Sequence, residues 1–162
     1  MPTESVAFAA VKMTQAAART KPSNYPEPFA SMMSGRIKRP LGDLFGLRNF
    51  GVNHVTLPPA TLSALFHSHA VQDEFILVLS GEVVMVHDGG ETTLVAGDCY
   101  GFAAGATAHQ LINRSEAAAT YLEVGDRKPG DQVDYPRDDL VAVQSADGWV
   151  FHHKDGSPYP RP

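Results

Sequence analysis

Residues 67–81 read His-Ser-His-Ala-Val-Gln-Asp-Glu-Phe-Ile-Leu-Val-Leu-Ser-Gly, and this stretch decides both the fold and the chemistry of the chain. His67 and His69 stand two residues apart, so on an extended strand both imidazoles project from the same face. Glu74 opens an apolar run that is predicted to form the next strand. Two imidazoles and a carboxylate that converge are donor groups for a divalent transition metal. The spacing therefore predicts a metal site built on β-structure.

A second cluster farther along the chain supplies a third imidazole. His109 lies near the start of a strand predicted over 108–113, which ends at Asn113, and Gly97 and Gly105 precede it. If this strand neighbours the first cluster, His109 arrives at the same ion. Three imidazoles and one carboxylate are thus expected at a single centre.

Short strands at close spacing surround the two clusters. They are predicted at 62–68, 74–80, 82–87, 91–95, 99–102, 108–113 and 118–124, with a last hairpin at 140–144 and 149–153. The Asp-Gly-Gly at 88–90 is a strong hairpin signal, because glycine tolerates the positive φ of tight turns. The side chains expected in the core are Ile76 and Val78, in phase with Glu74, and also Phe75, Leu77 and Leu79 between two sheets. Many short strands with almost no helix predict a β-sandwich or barrel.

The segments outside these strands differ in composition. Residues 1–40 are interpreted as an N-terminal arm, in which the alanine-rich stretch 6–19 predicts a short helix before a proline-rich crossing segment. Residues 41–125 are expected to form the barrel. Residues 126–162 are expected to form a polar loop, over 126–139, and a C-terminal hairpin that belong to the same domain.

Charge is distributed unevenly along the 162 residues. The formal net charge is −5, yet residues 1–48 carry seven Lys or Arg against three acidic residues, and no Lys or Arg stands between Arg48 and Arg114. A nucleic-acid partner needs a basic stripe, so none is expected. No apolar run approaches the roughly 20 residues of a membrane span, and the single Cys99 cannot form an intrachain disulfide. The chain is expected to be cytoplasmic, with no membrane partner.

The two clusters resemble the two motifs of the cupin superfamily. The first motif, G(X)5HXH(X)3–4E(X)6G, is matched at His67, His69, Glu74 and Gly81, with Thr61 in place of the leading glycine. The second, G(X)5PXG(X)2H(X)3N, is matched at Gly97, Gly105, His109 and Asn113, with Ala103 in place of the proline and one extra residue before His109. The resemblance covers residues 50–124. It implies an all-β fold, a single jelly-roll β-barrel with extended N- and C-terminal arms, and a homodimer in which the arms cross into the partner.

The resemblance also implies a metal-binding protein of the mannose-6-phosphate isomerase-like type. Its metal ligands would be His67, His69, Glu74 and His109, and the donor types leave Zn, Mn, Fe, Ni, Co and Cu open. An ion with open coordination positions would polarise a small oxygenated molecule in an isomerase-like reaction on a sugar or sugar phosphate, with a dioxygenase-like reaction ranked second. The alternative is a non-catalytic, metal-dependent small-molecule binding or sensor protein, because fold and metal do not establish turnover.

Residues that would act on the substrate are only weakly marked in the sequence. The candidates for acid–base chemistry are Tyr100, Tyr121 and Glu123. Arg48 is the nearest candidate for binding a phosphate, followed by Arg36 or Lys38 if the N-terminal arm folds over the barrel mouth. Because the segment that carries the ligands has no Lys or Arg, the substrate is expected to be a neutral or singly anionic small molecule.

Overall fold

Antiparallel strands make up most of the structure, a computed structural model that describes residues 9–21 and 23–160. The strands are β1 (Ile37–Pro40), β2 (Phe50–Leu57), β3 (Ser68–His69), β4 (Glu74–Ser80), β5 (Glu82–His87), β6 (Gly90–Val95), β7 (Cys99–Phe102), β8 (His109–Ile112), β9 (Ala119–Asp126), β10 (Gln132–Tyr135), β11 (Leu140–Ser145) and β12 (Gly148–His152). Two single-turn helices, α1 (Phe29–Met32) and α2 (Leu41–Leu44), flank β1. The prediction of an all-β barrel is confirmed.

Three sheets surround the interior. A five-stranded sheet has the order β1-β2-β9-β4-β7, a four-stranded sheet the order β12-β11-β10-β3, and a three-stranded sheet the order β6-β5-β8. Isolated bridges between Leu62 and Ile112 and between His67 and His109 connect the segment before β3 to β8. The strand at the first cluster and the strand at the second cluster are therefore neighbours, as the metal-site prediction requires.

Within the described residues, two large apolar clusters form most of the core, and a small third one consists of Phe66, Val86 and Ala108. One fills the barrel below the site and includes Val55, Leu57, Ile76, Val78, Val83, Met85, Leu111 and Tyr121. The other joins α1 to the four-stranded sheet through Phe29, Met33, Leu65, Val133, Tyr135, Leu140 and Phe151. The candidate site lies next to both clusters. In the chain, His67 and His69 follow Leu65 of the second cluster, and His109 precedes Leu111 of the first.

Gly81, the last residue of the first motif, has a steric reason to be glycine. Its φ is +72°, and a Cβ placed there would lie 2.8 Å from the Ala118 carbonyl oxygen. A side chain at this position would push β9 away from the turn between β4 and β5. The pairing of β4 with β9 shifts register between Val78 and Ser80, just before this turn, and runs back to Glu74, the first residue of β4.

Two expectations for the first half of the chain are wrong. The helix predicted over 6–19 is reduced, within its described part from residue 9 onward, to a 3-10 turn at Met13–Gln15; residues 6–8 lie outside the described residues. The strand predicted over 62–68 is largely irregular, and only Ser68–His69 is a regular strand. Ser63 explains part of this, since its hydroxyl oxygen accepts a hydrogen bond from the Leu111 N–H at 3.0 Å and so competes with a regular backbone ladder.

The polar loop predicted over 126–139 contains a strand. Residues Gln132–Tyr135 (β10) pair with β11 on one side and with His69 and Ser68 of β3 on the other. The C-terminal part of the chain thus supplies a wall of the site rather than a peripheral loop.

The outward-facing side chains of β4 were expected in the core, and this is also wrong. Ile76 and Val78 are buried, but Phe75 is 42% exposed, and Leu77 and Leu79 are only half-buried. Every residue of the run 75–79 is apolar, so alternation could not tell the two faces apart. Cys99, the single cysteine, is exposed as well.

Among residues 9–21 and 23–160, no helix is both long and apolar enough to cross a membrane.

Candidate metal centre

The backbone brings the predicted ligands together from three strands. His67 and His109 exchange backbone hydrogen bonds, His67 N–H to the His109 oxygen at 3.0 Å and His109 N–H to the His67 oxygen at 2.8 Å. His69 lies on β3 opposite Val133 of β10, and Glu74 begins β4. The predicted cluster therefore meets at the point where β3, β4 and β8 approach one another.

The side chains of His67, His69 and Glu74 fit a single ion. One ligand atom from each residue lies within 4.8 Å of those of the other two. A transition metal binds such atoms at about 2.0–2.2 Å, so three donors this close together can converge on one ion. These three residues could hold a metal.

Hydrogen bonds fix the tautomer of two of the imidazoles. The Nδ1 atom of His67 lies 2.7 Å from the Leu65 carbonyl oxygen, and Nδ1 of His69 lies 2.6 Å from the Asp131 carboxylate. A carbonyl or carboxylate oxygen only accepts, so each Nδ1 carries the proton and each Nε2 presents a lone pair. Both rings are thus held in the form that ligates a metal through Nε2.

Asp131 is a functional residue that the sequence analysis missed. Its side chain is fully buried; Oδ2 binds His69, while Oδ1 accepts hydrogen bonds from the backbone N–H of Val71 at 2.8 Å and of Gln72 at 3.4 Å. It stands just before β10, in the segment predicted to be a polar loop. No local pattern marks it, because its role depends on a pairing between β10 and β3 that joins distant parts of the chain.

His109 lies beside the three-residue group. Its Nε2 donates a hydrogen bond to Glu74 Oε2 at 3.1 Å, and its ring stacks on Phe102 with centroids 3.4 Å apart and planes 8° from parallel. The extra residue before His109 has therefore not carried its side chain away from Glu74. Its ligation of an ion stays a prediction. Asn113, in phase with it, is buried and donates to the carbonyl oxygens of Leu57 and Ala117, so its amide braces the β8–β9 connection.

The electrostatics of the group favour a neutral His67 beside an ionised Glu74. Burial lowers the pKa of His67 to about 4, and the neighbouring His109 and His69 act in the same direction. Burial alone would raise the pKa of Glu74, but the hydrogen bond from His109 and the nearby imidazoles bring it well below its ordinary range. At neutral pH His67 is therefore neutral and Glu74 ionised, the protonation states in which these two residues can bind a metal.

The group opens into a cavity of about 320 Å³, at the lower end of the ~300–1,000 Å³ of small-molecule sites. Of the acid–base candidates, Tyr121 and Glu123 of β9 line this cavity, whereas Tyr100 is 44% exposed and is not part of the lining. Glu123 forms an ion pair with Lys38 Nζ at 2.5 Å and accepts a hydrogen bond from the Asn53 side-chain amide at 3.0 Å.

Tyr121 is fully buried beneath the cavity. Desolvation raises its pKa well above the ordinary value, and the nearby carboxylate of Glu123 acts in the same direction. Its hydroxyl therefore stays protonated at neutral pH and is available as a donor. Ser63 is its polar neighbour.

Cations line the cavity, although the segment that carries the ligands has none. They come from the chain on either side of the barrel: Arg19, Lys21, Arg36, Lys38 and Arg127. The expectation of a neutral or singly anionic substrate rested on an absence of Lys and Arg near the site, and the fold removes that premise. Arg48 is exposed and does not belong to the lining.

Comparison with known proteins supports this reading of the fold. The family model of the cupin domain matches residues 53–125. The crystal structure of a sugar phosphate isomerase of the cupin superfamily from Silicibacter pomeroyi is 42% identical, covers 94% of this chain and 97% of its own, and superposes with a TM-score of 0.88. A candidate sugar phosphate isomerase from Acidithiobacillus ferrooxidans is 28% identical over 78% of this chain and 81% of its own, with a TM-score of 0.70.

A more distant likeness shows the fold alone. A polyketide cyclase from Streptomyces resistomycificus is 17% identical over 75% of this chain and 80% of its own, with a TM-score of 0.61. No curated protein matches the sequence. The motifs, the barrel and the likeness to the Silicibacter protein over nearly the whole length of both chains lead to one conclusion: this chain belongs to the cupin superfamily.

Proposed function

We propose that this protein is a metal-dependent isomerase that interconverts the aldose and ketose forms of a sugar or sugar phosphate. One observation carries the proposal: a carboxylate outside the ligand group, that of Glu123, faces the same cavity as His67, His69 and Glu74. Isomerisation needs such a group, because a proton must leave one carbon and return to its neighbour. The names of the Silicibacter and Acidithiobacillus proteins support the same class of substrate.

The register of the five-stranded sheet sets the position of Glu123. Glu74 is opposite Gly125 and Ile76 is opposite Glu123 on the paired strands β4 and β9. Glu123 is thus the diagonal neighbour of Glu74, at a Cα separation of about 7–8 Å. A small molecule chelated at the ligand group would lie beside the Glu123 carboxylate.

A divalent ion held by His67, His69 and Glu74, with His109 as the fourth ligand, would supply Lewis-acid polarisation of the carbonyl and hydroxyl oxygens of the substrate. Glu123 takes the proton from the carbon that bears the hydroxyl group, and the electron pair of that C–H bond forms the double bond of an enediol. The same carboxylate returns the proton to the former carbonyl carbon. The ion pair with Lys38 holds the Glu123 carboxylate in place.

Tyr121 completes the proton balance. Its hydroxyl is protonated, buried and part of the cavity lining, so it can donate to the carbonyl oxygen as that oxygen becomes a hydroxyl. The hydroxyl proton of the neighbouring carbon returns to the Tyr121 oxygen as that carbon's oxygen becomes the new carbonyl, which restores the starting state of the tyrosine. No oxidant or reductant is consumed, since hydrogen only moves between adjacent carbons and oxygens.

The test is proton exchange in deuterated water. The purified protein is loaded with each candidate metal and mixed with aldoses and aldose phosphates, and NMR follows deuterium incorporation next to the carbonyl together with ketose formation. Glu123→Gln is expected to lose exchange while retaining the metal, and Glu116→Gln, at an exposed carboxylate, is the matched control.

Other outcomes point to the alternatives. Metal-dependent oxygen consumption without exchange would indicate a dioxygenase. Sugar binding with neither exchange nor oxygen uptake would indicate a non-catalytic binding or sensor protein. Either result would overturn the isomerase proposal.

A further inference from the structure

The N-terminal segment runs along the mouth of the cavity. The backbone N–H of Arg19 donates to the Lys38 carbonyl oxygen at 2.9 Å, which attaches this segment to the edge strand β1 of the five-stranded sheet. Arg19, Lys21, Arg36 and Lys38 all line the cavity. Four cations from two neighbouring stretches of chain thus meet on one side of the site.

These cations differ in their partners. Lys38 is paired with Glu123, and Arg127, on another part of the lining, is paired with Asp43. Arg36 donates from Nη1 to the carbonyl oxygen of Ser63, which anchors its guanidinium in the lining. Within the described ranges, Arg19 and Lys21 are exposed and belong to none of the ion pairs.

The acidic residues Asp73 and Asp126 of the lining accept hydrogen bonds from backbone N–H groups. Asp73 accepts a hydrogen bond from the Ala104 N–H at 2.7 Å, and Asp126 accepts one from the Asp73 N–H at 3.2 Å and one from the Lys128 N–H at 2.9 Å. Glu74 belongs to the ligand group. The side of the mouth formed by Arg19, Lys21 and Arg36 is therefore the side suited to an anion.

We propose that Arg19 and Lys21, with Arg36 beneath them, form a phosphoryl-binding subsite, so that the substrate is a phosphorylated sugar whose other end reaches the metal ligands. The inference deepens the proposed function and rests on it for the identity of the sugar. A phosphoryl group presents three acceptor oxygens and close to two negative charges, which suits an arginine fork together with a lysine ammonium. A neutral sugar has no anionic group that these cations could bind.

The binding test uses inorganic phosphate and the full-length protein after metal removal, so that phosphate has no ion to bind. Isothermal titration at low ionic strength compares wild type, the double variant Arg19→Ala/Lys21→Ala and the control Lys12→Ala. Lys12 is an exposed cation of the same segment that does not line the cavity. The double variant should bind phosphate at least about tenfold more weakly, because two charge-assisted contacts are lost. The control should stay within about twofold of wild type.

Two results would overturn the subsite. One is a wild-type protein that binds no phosphate without metal; the other is a double variant that binds phosphate as tightly as wild type. Circular dichroism checks that the double variant is folded, and both side chains are exposed, so folding should survive. The result does not depend on turnover, and a failure of the isomerase proposal is therefore distinguishable. If turnover is found, the double variant should raise KM for the phosphorylated sugar and not for its unphosphorylated form.

Discussion

Replacing Asp131 by Asn tests how the metal centre is organised. The carboxylate accepts three hydrogen bonds, one from the His69 ring and two from backbone N–H groups. Asparagine has one oxygen and one NH2 group, so it cannot accept on both sides. If the NH2 group faces His69, it forces Nδ1 to accept and moves the ring proton to Nε2, where it blocks ligation. If the NH2 group faces Val71 and Gln72 instead, two donors oppose it.

The structure sets the size of the effect. Asp131 is fully buried, so solvent cannot supply the missing acceptor. Loss of an orienting partner behind a metal-ligating histidine costs about 10- to 100-fold in metal affinity. An unsatisfied buried polar group adds about 1–3 kcal/mol of destabilisation, which lowers the free energy of unfolding of the metal-free protein as well. Asp131→Asn is therefore expected to weaken metal binding and to lower Tm in the absence of metal.

Competition with a chromophoric chelator measures the metal affinity, and thermal unfolding measures stability separately. His69→Ala gives the loss expected when the ligand itself is removed. Asp134→Asn is the matched control, since Asp134 is an exposed carboxylate on the adjacent strand β10. A folded Asp131→Asn protein that binds zinc as tightly as wild type would refute the reasoning, because His69 would then need no partner to ligate.

Three further predictions concern other parts of the molecule. Elemental analysis of His109→Ala should show metal content reduced relative to wild type, and undiminished metal would remove His109 from the ligand set. Metal-free protein should lose about 3 kcal/mol of unfolding free energy as pH falls from 7 to 4. The reason is that His67 takes up a proton near its ordinary pKa of 6.5 in the unfolded chain, whereas in the folded chain its pKa is about 4. Urea unfolding at several pH values measures this loss, and a free energy that does not change with pH would contradict the prediction. The predicted homodimer has a candidate apolar interface on the outer face of the five-stranded sheet, where Phe75 is 42% exposed. Light scattering should show that wild type is a dimer and that Phe75→Glu is a monomer. A monomeric wild type would exclude the homodimer.

The sequence predicted those parts of the site that depend on local spacing. His67 and His69 are two residues apart and Glu74 opens the next strand, so any strand pairing that follows the hydrophobic pattern brings them close. The same reasoning failed at the run 75–79, where every residue is apolar and period-two alternation carries no information about which face is buried. The buried face is fixed by Glu74, whose side chain must point to the site.

Parts of the site that depend on distant pairing could not be predicted. Asp131 acquires its role from the pairing of β10 with β3, and nothing in residues 126–139 distinguishes it from the other acidic residues there. The cations of the cavity could not be predicted either, because they reach it through contacts between distant parts of the chain. Counting Lys and Arg near the ligands in sequence favoured a neutral or singly anionic substrate. The N-terminal segment instead attaches to β1 and places Arg19 and Lys21 in the cavity lining.

Asp131 and the cations of the cavity both lie outside the barrel, in the segments that precede and follow it. The barrel supplies the candidate metal ligands and the candidate base Glu123, and such a set could serve several reactions. The flanking segments supply Asp131, which orients a ligand, and the cations that would select an anionic substrate. The Silicibacter protein covers 94% of this chain and therefore includes most of both segments, unlike a match confined to the barrel. Shared barrel motifs are thus weak grounds for assigning a substrate, and the residues that decide it are to be sought in the segments outside the barrel.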